Sequence, residues 1–238
     1  MDKKYLEKTT MLNFDAESIK ALIKRRNWLS LDEYNKIGSV YNFVRNEILF
    51  GYNRSDLLTA EQVLKDGYGQ CNTKATLLMT LLLRGVGIPC RLHGSEVNKY
   101  FQKGATSGLV SLLAPQNIVH TWVEVLYMGN WIALEGVITD EDYVNAVKNK
   151  FEKVNGSFAK FAIAVPSLKS LNLDWHGKDT YVQHDAVVVD YGVFDNPDVF
   201  FEKHPQTWSK LKNFAYVYVG RKIMNKNVAK TRKSRCVN

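Results

Sequence analysis

The 238-residue sequence is poor in cysteine (three) and proline (five), and it contains no long apolar run. Cys71, Cys90 and Cys236 form an odd and sparse set, which argues against a disulfide framework and for reduced thiols in a cytoplasmic setting. No Cys-x-x-Cys or His-x-x-x-His pair is present to suggest a zinc site. The longest helix-like apolar stretch, Leu77 to Leu83, is too short to span a bilayer. The opening residues, Met1 to Lys8, lack an apolar signal-peptide core, so no secretory signal is expected. With no Ser/Gly/Pro-rich linker and no internal repeat, residues 1–238 read as a single domain with helical additions at both ends.

Acidic residues are missing from the C-terminal stretch. Lys210 to Asn238 holds nine basic side chains and no Asp or Glu, which leaves 23 basic against 24 acidic residues elsewhere. The net charge of +8 is therefore wholly C-terminal. Such a stretch is either a solvated basic helix with a frayed end or a surface for an acidic partner, nucleic acid or anionic lipid. Apart from Phe214, Tyr216 and Tyr218, it lacks the aromatic interleaving of a single-strand binding surface.

The remaining pattern is helical, then stranded. Asp15 is placed to cap a helix carrying Ile19, Leu22 and Ile23, and Ser30-Leu31-Asp32-Glu33 has the form of a capping box. After it, Tyr34, Ile37, Tyr41, Val44 and Ile48 recur at helical spacing. Thr59-Ala60-Glu61-Gln62 is a second capping box, with Gly67 as a left-handed stop. The helix beginning near Cys71 is apolar almost all round, which predicts burial. Strands are expected at Cys90–His93, Ile118–Tyr127 and Trp131–Glu135, the last two joined by a turn at Met128-Gly129-Asn130. Residues 94–118 read as a long excursion able to shape substrate access. Further on, Asp140–Phe151 reads as a helix and Tyr181–Tyr191 as a strand, Asn196-Pro197 as a helix start, and Trp208–Val228 as a basic helix.

The chemistry centres on Cys71, in Gly67-Tyr68-Gly69-Gln70-Cys71. At a helix N-terminus the unpaired N–H groups and the helix dipole favour the thiolate, the nucleophilic form. His120 on a strand can serve as base, and Glu135 on the next strand can orient it. The backbone N–H of Cys71 can receive an oxyanion. Gln70 and Trp122 either line this site or serve structure. A tight turn at 128–130 would set Glu135 opposite residue 123 or 124, leaving about 13 Å of strand to His120. A bulge, a wider turn or strong twist must close that gap; otherwise Asp140 or another acceptor orients the imidazole. Cys90 reads as core and Cys236 as a tail residue. His93, His176, His184 and His204 lack paired ligand spacing.

Three blocks in order carry a family resemblance: Gly69-Gln70-Cys71 with Ala75-Thr76-Leu77-Leu78 and Leu82 to Arg91, then His120-Thr121-Trp122-Val123-Glu124-Val125, then Trp131-Ile132-Ala133-Leu134-Glu135. Thr59 to Val137 resembles the transglutaminase-like cysteine enzymes, a branch of the papain-like superfamily. The resemblance implies an α+β fold, with a helix bearing the nucleophile packed on an antiparallel sheet bearing the His and the acid. It implies a core over about 30–137, an N-terminal extension over 1–29 and a C-terminal extension over 138–238 ending in a basic helix or tail at 208–238. It also implies thioester chemistry without a cofactor, on the amide carbonyl of a protein or peptide. The family usually carries Asp where Glu135 stands, often followed by Pro-Thr, whereas Gly136-Val137 follow here. A bacterial branch similar to this chain also carries Glu. The resemblance leaves hydrolysis (peptidase, amidase or deamidase) and transfer to an amine both open, with hydrolysis favoured because water is always present. A binding module that keeps the scaffold without catalysis is the other reading.

Overall fold

The computed structural model describes residues 8–106, 108, 114–207 and 209–234, so the expectations at Trp208 and Cys236 lie outside the described residues. In chain order the helices are α1 (Glu17–Arg26), α2 (Glu33–Asn42), α3 (Ala60–Asp66), α4 (Cys71–Thr80), α5 (Glu141–Lys150), α6 (Pro197–Lys203), α7 (Lys210–Ala215) and α8 (Arg221–Lys233). The strands are β1 (Leu49–Phe50), β2 (Tyr68–Gly69), β3 (Cys90–Asn98), β4 (Asn117–Tyr127), β5 (Asn130–Ala133), β6 (Phe158–Lys160), β7 (Ile163–Val165) and β8 (Val187–Phe194). The architecture is α+β. An antiparallel sheet of order β5-β4-β3-β8 packs against α4, whose residues Asn72 to Thr80 are all buried.

Local chemistry explains the element ends, including those where the sequence pattern points elsewhere. At α3 the capping box forms as expected: Gln62 N–H donates to Thr59 Oγ1 (3.3 Å) and Thr59 N–H donates to Gln62 Oε1 (3.1 Å). Gly67 closes the helix with φ +69°. At α2 the cap is Asp32, which accepts from Asn35 N–H at 3.0 Å; Ser30 instead ends a short 3₁₀ turn anchored by buried Trp28. Asp15 does not cap α1, because its carboxylate pairs with Lys8 (2.6 Å) and Ala16 takes the cap position. β3 runs on to Asn98 and β4 starts at Asn117, so the excursion shrinks to 99–116. The last-third strand falls later than expected, at 187–194, after a 3₁₀ turn at His184–Ala186. Asn196 caps α6 by accepting from Val199 N–H at 3.0 Å, with Pro197 in the first turn.

The C-terminal region contributes to the core. β8 is the fourth strand of the sheet, pairing with β3. α8 buries Met224, Val228 and Thr231, and its Arg232 grips buried Asp140 through two hydrogen bonds (2.9 and 2.6 Å) and Phe50 O at 2.9 Å. The other basic residues of α8 at Lys222, Lys226, Lys230 and Lys233 stay exposed. Among the described residues, no helix is long and apolar enough to cross a membrane.

Candidate active site

Cys71 occupies the first position of α4, half-buried in the wall of a cavity of about 550 Å³. Gly69 just before it has no room for a side chain: a Cβ there would lie 2.8 Å from Thr73 Oγ1 and 2.9 Å from Lys74 Cγ. The approach is held by a polar net around buried Asn53. Asn53 N–H donates to Gln70 Oε1 (2.8 Å), Asn53 Oδ1 accepts from the Thr73 hydroxyl (2.6 Å), and Asn53 Nδ2 donates to Tyr68 O (3.0 Å). Gln70 Nε2 donates to Asp56 Oδ1 at 3.0 Å. Both ends of the Gln70 amide are thus engaged in fixing the loop that leads to α4. Burial pushes the Asp56 carboxyl up, with the Asn72 and Gln70 hydrogen bonds opposing it.

Asn72 ties the start of α4 to β4 on both sides of residue 120. Its Nδ2 donates to Val119 O (3.1 Å) and its Oδ1 accepts from the Thr121 hydroxyl (3.1 Å). His120 is fully buried, and its Nε2 lies 2.8 Å from Glu135 Oε1. Its Nδ1 has no hydrogen-bond partner among the described residues. Burial alone would lower the imidazole pKa, but its interactions with Cys71 and the hydrogen bond and charge of Glu135 outweigh it and raise the group to about 10.

Glu135 reaches His120 by leaving its strand. The pairs Tyr127↔Asn130 and Glu124↔Ala133 show a two-residue turn at Met128 and Gly129, both with positive φ. Continued straight, this register would set Glu135 opposite Trp122, two residues or roughly 7 Å from His120. Instead β5 stops at Ala133, and Glu135–Ile138 coil into a 3₁₀ turn that swings the carboxylate back. The turn requires Gly136, whose N–H donates to Thr180 O (2.9 Å) and where a Cβ would lie 2.5 Å from the Tyr41 hydroxyl. Proline at this position would lose that donor and meet the same wall. Glu135 Oε2 accepts from Val182 N–H (2.8 Å) and Gln183 N–H (3.1 Å). Burial opposes ionisation of Glu135, yet the His120 bond and these two amides hold it below the usual carboxylate range. Asp140 lies elsewhere, capping α5 at Tyr143 N–H (3.0 Å) and pairing with Arg232.

Trp122 does not border the cavity. Its ring lies 5.8 Å from that of His120 and stacks at 4.1 Å on His93, which itself bridges Glu124 and Asp190 (2.7 Å each). Cys90 is fully buried in the core, and burial pushes its thiol up.

Two further groups belong to this site beyond those the motifs single out. Lys74, three residues after Cys71, is fully buried, and its Nζ donates to Arg45 O (3.0 Å), Val137 O (2.8 Å) and Ile138 O (3.1 Å). It thereby ties the Cys71 helix to the Glu135 turn. Burial pulls Lys74 down to about 7, opposed by Asp140; only the ammonium form has enough N–H groups for all three carbonyls. The run Asn72-Thr73-Lys74, polar at the start of an otherwise apolar helix, is the signal for it. Tyr52 is the second group. It lines the cavity beside Cys71, and its hydroxyl is buried with no hydrogen-bond partner among the described residues. Its backbone is clamped by Asn225 of α8, which accepts from Tyr52 N–H (2.7 Å) and donates to Tyr52 O (3.1 Å). No local pattern marks it. Among the described residues, no group of three or more His, Cys, Asp or Glu side chains is arranged to hold a metal ion.

Residues 25–136 match the core model of the transglutaminase-like superfamily. A solved structure of a candidate cysteine protease from Cytophaga hutchinsonii is similar at 14% identity with a TM-score of 0.46. The match covers 82% of this chain and 47% of that one, so the chain spans about half the length of that structure. No curated protein matches the chain.

Proposed function

We propose, on the premise that residues 25–136 belong to the transglutaminase-like superfamily, that the chain is a cysteine enzyme acting on amide carbonyls through a Cys71 thioester. The observation that carries the reading is the buried His120–Glu135 hydrogen bond of 2.8 Å, with Cys71 among the groups that act on the imidazole and Nδ1 the ring nitrogen left to serve the thiol. Glu135, gripped by two backbone amides, keeps the proton on Nε2 and stabilises the imidazolium.

In this reading the Cys71 thiolate attacks the carbonyl carbon, forming a C–S bond and a tetrahedral oxyanion. The Cys71 N–H, at a helix start with no intrahelical acceptor, and the unpartnered Tyr52 hydroxyl receive that charge. His120 gives its Nδ1 proton to the leaving nitrogen as the C–N bond breaks, and a thioester remains. Neutral His120 then takes a proton from water, hydroxide attacks the thioester, and thiolate and acid are released. Water as acceptor makes the chain a hydrolase. Gln70 serves as a positioning residue, because both ends of its amide are already engaged, and Trp122 walls the imidazole. The exposed lysines of α8 remain available to an acidic partner.

Alkylation by iodoacetamide at pH 6 tests the reading. Cys71 in a thiolate–imidazolium pair reacts at least about tenfold faster than N-acetylcysteine, which is almost wholly thiol at that pH. A rate equal to the free thiol refutes the catalytic reading and favours a non-catalytic scaffold.

A further inference from the structure

The surface that the cavity beside Cys71 presents is mainly apolar, with polar side chains such as Gln102, Gln183 and Gln206 at intervals along its lining. Val97, Phe101, Ile118, Phe201, Val219 and Met224 are among its walls, contributed by β3 and the 3₁₀ turn that follows it, β4, α6 and the C-terminal helical segment. Its volume of about 550 Å³ falls within the 300–1,000 Å³ typical of small-molecule sites. The charged side chains at its border are Arg54, Asp56 and Lys212, of which Arg54 and Lys212 are exposed. The floor therefore offers no fixed charge to a charged or strongly polar acyl group.

We propose that this cavity is the acyl subsite, and that the substrate carries a bulky apolar group, aliphatic or aromatic, on the carbonyl side of the bond attacked. The inference rests on the thioester reading above and deepens it. Apolar walls make each methylene they bury worth about 0.8 kcal/mol, roughly fourfold in rate once the chain is fully desolvated. A polar side chain such as that of glutamine would give up its hydration for a surface that is mainly apolar and would gain less there than an apolar group of the same size.

p-Nitrophenyl acetate, p-nitrophenyl octanoate and the p-nitrophenyl ester of N-acetylphenylalanine serve as probes. In each, the Cys71 thiolate forms a C–S bond as the C–O bond breaks, p-nitrophenolate leaves with the electron pair, and its absorbance is followed. Wild type should acylate at least about 100-fold faster with octanoate or the phenylalanyl ester than with acetate, after correction for the same ratios with N-acetylcysteine. The faster of the two arms tells whether an aliphatic chain or an amino-acid side chain is the better fit.

Ile223→Trp and Val219→Trp fill the cavity from partly exposed positions on the C-terminal helices, where folding tolerates the larger ring. Each should cut the octanoate-to-acetate ratio by about tenfold, while iodoacetamide alkylation shows that Cys71 is still in place. A corrected ratio near one in wild type, or an undiminished ratio in both tryptophan variants, overturns the acyl-subsite assignment while leaving thioester chemistry standing. Equal p-nitrophenolate release by wild type and Cys71→Ala overturns the thioester reading itself, and the subsite with it.

Discussion

Replacing Glu135 by glutamine removes one charge and almost no volume, yet it should disable the site. Glu135 Oε2 accepts from two backbone N–H groups, of Val182 and Gln183, while Oε1 faces His120 Nε2 at 2.8 Å. A glutamine has only one acceptor oxygen. If its NH₂ faced Val182 and Gln183, two buried amides would be orphaned at about 1–3 kcal/mol each. The oxygen must therefore stay on that side, which turns the NH₂ towards His120 Nε2. That nitrogen can then only accept, so the ring proton is confined to Nδ1 and cannot be taken up from Cys71. A wrong tautomer of this kind costs about 10⁴-fold in kcat in a related triad. The stability cost should be smaller, about 1–3 kcal/mol, because every hydrogen bond survives and only the charge assistance is lost. Two assays read the result. Alkylation of Cys71 by iodoacetamide at pH 6 should fall to the rate of a free thiol, and ¹⁵N NMR of the His120 ring should show protonated Nδ1 and unprotonated Nε2. Wild-type alkylation in Glu135→Gln, or a protonated Nε2, would refute the reasoning.

Other outcomes follow from the same contacts. Lys74→Met should destabilise by about 3–5 kcal/mol in urea unfolding, since three carbonyls lose their donor and the Cys71 helix loses its tie to the Glu135 turn; an unchanged midpoint contradicts this. Gly136→Ala should cost about 1–3 kcal/mol through contact with the Tyr41 hydroxyl, and adding Tyr41→Phe should recover part of it, which a double-mutant cycle in thermal unfolding checks. Tyr52→Phe should slow acylation by p-nitrophenyl octanoate about 10- to 1,000-fold while leaving iodoacetamide alkylation, which forms no oxyanion, unchanged; equal slowing of both reactions sinks the role given to the hydroxyl. The raised pKa of His120 stabilises the fold fully below its ordinary value of 6.5, and that contribution is lost as pH climbs through about 10. The lowered pKa of Glu135 stabilises above its ordinary 4.5 and is lost as pH falls through its folded value. The advantage of wild type over Glu135→Gln should thus be largest between about pH 4.5 and 6.5 and shrink towards pH 10; an advantage that grows from pH 7 to 10 in denaturant titrations contradicts the pairing.

The family blocks were legible because their chemistry is local. A helix start at Cys71 is marked by Gly69, an alternating strand at His120 by its period of two, and α3 by a capping box whose two hydrogen bonds form as written. The Ser30 box misled because its pattern is satisfied equally well two residues later by Asp32, once Trp28 is buried. The strand expected at 181 began at 187, because residues 179–183 run beside 133–136 and spend their backbone groups on that segment. No periodicity signals a commitment of that kind.

By itself the sequence marked Cys71, His120 and Glu135 as candidates and showed the helical character of the ends, because a helix start, an alternating strand and a capping box are each written within about a dozen residues; the α+β class came with the family resemblance those blocks carry. Whether Glu135 reaches His120 was decided only by the tertiary structure: the strand had to break at Leu134, and Gly136, Tyr41 and Thr180 had to leave just enough room for the turn. The same holds for Lys74, whose three acceptors come from two distant segments. It holds for Tyr52, carried to Cys71 by a loop that Asn225 clamps from 173 residues away. Contacts across such separations carry no local pattern, and they shape the cavity that Cys71 borders.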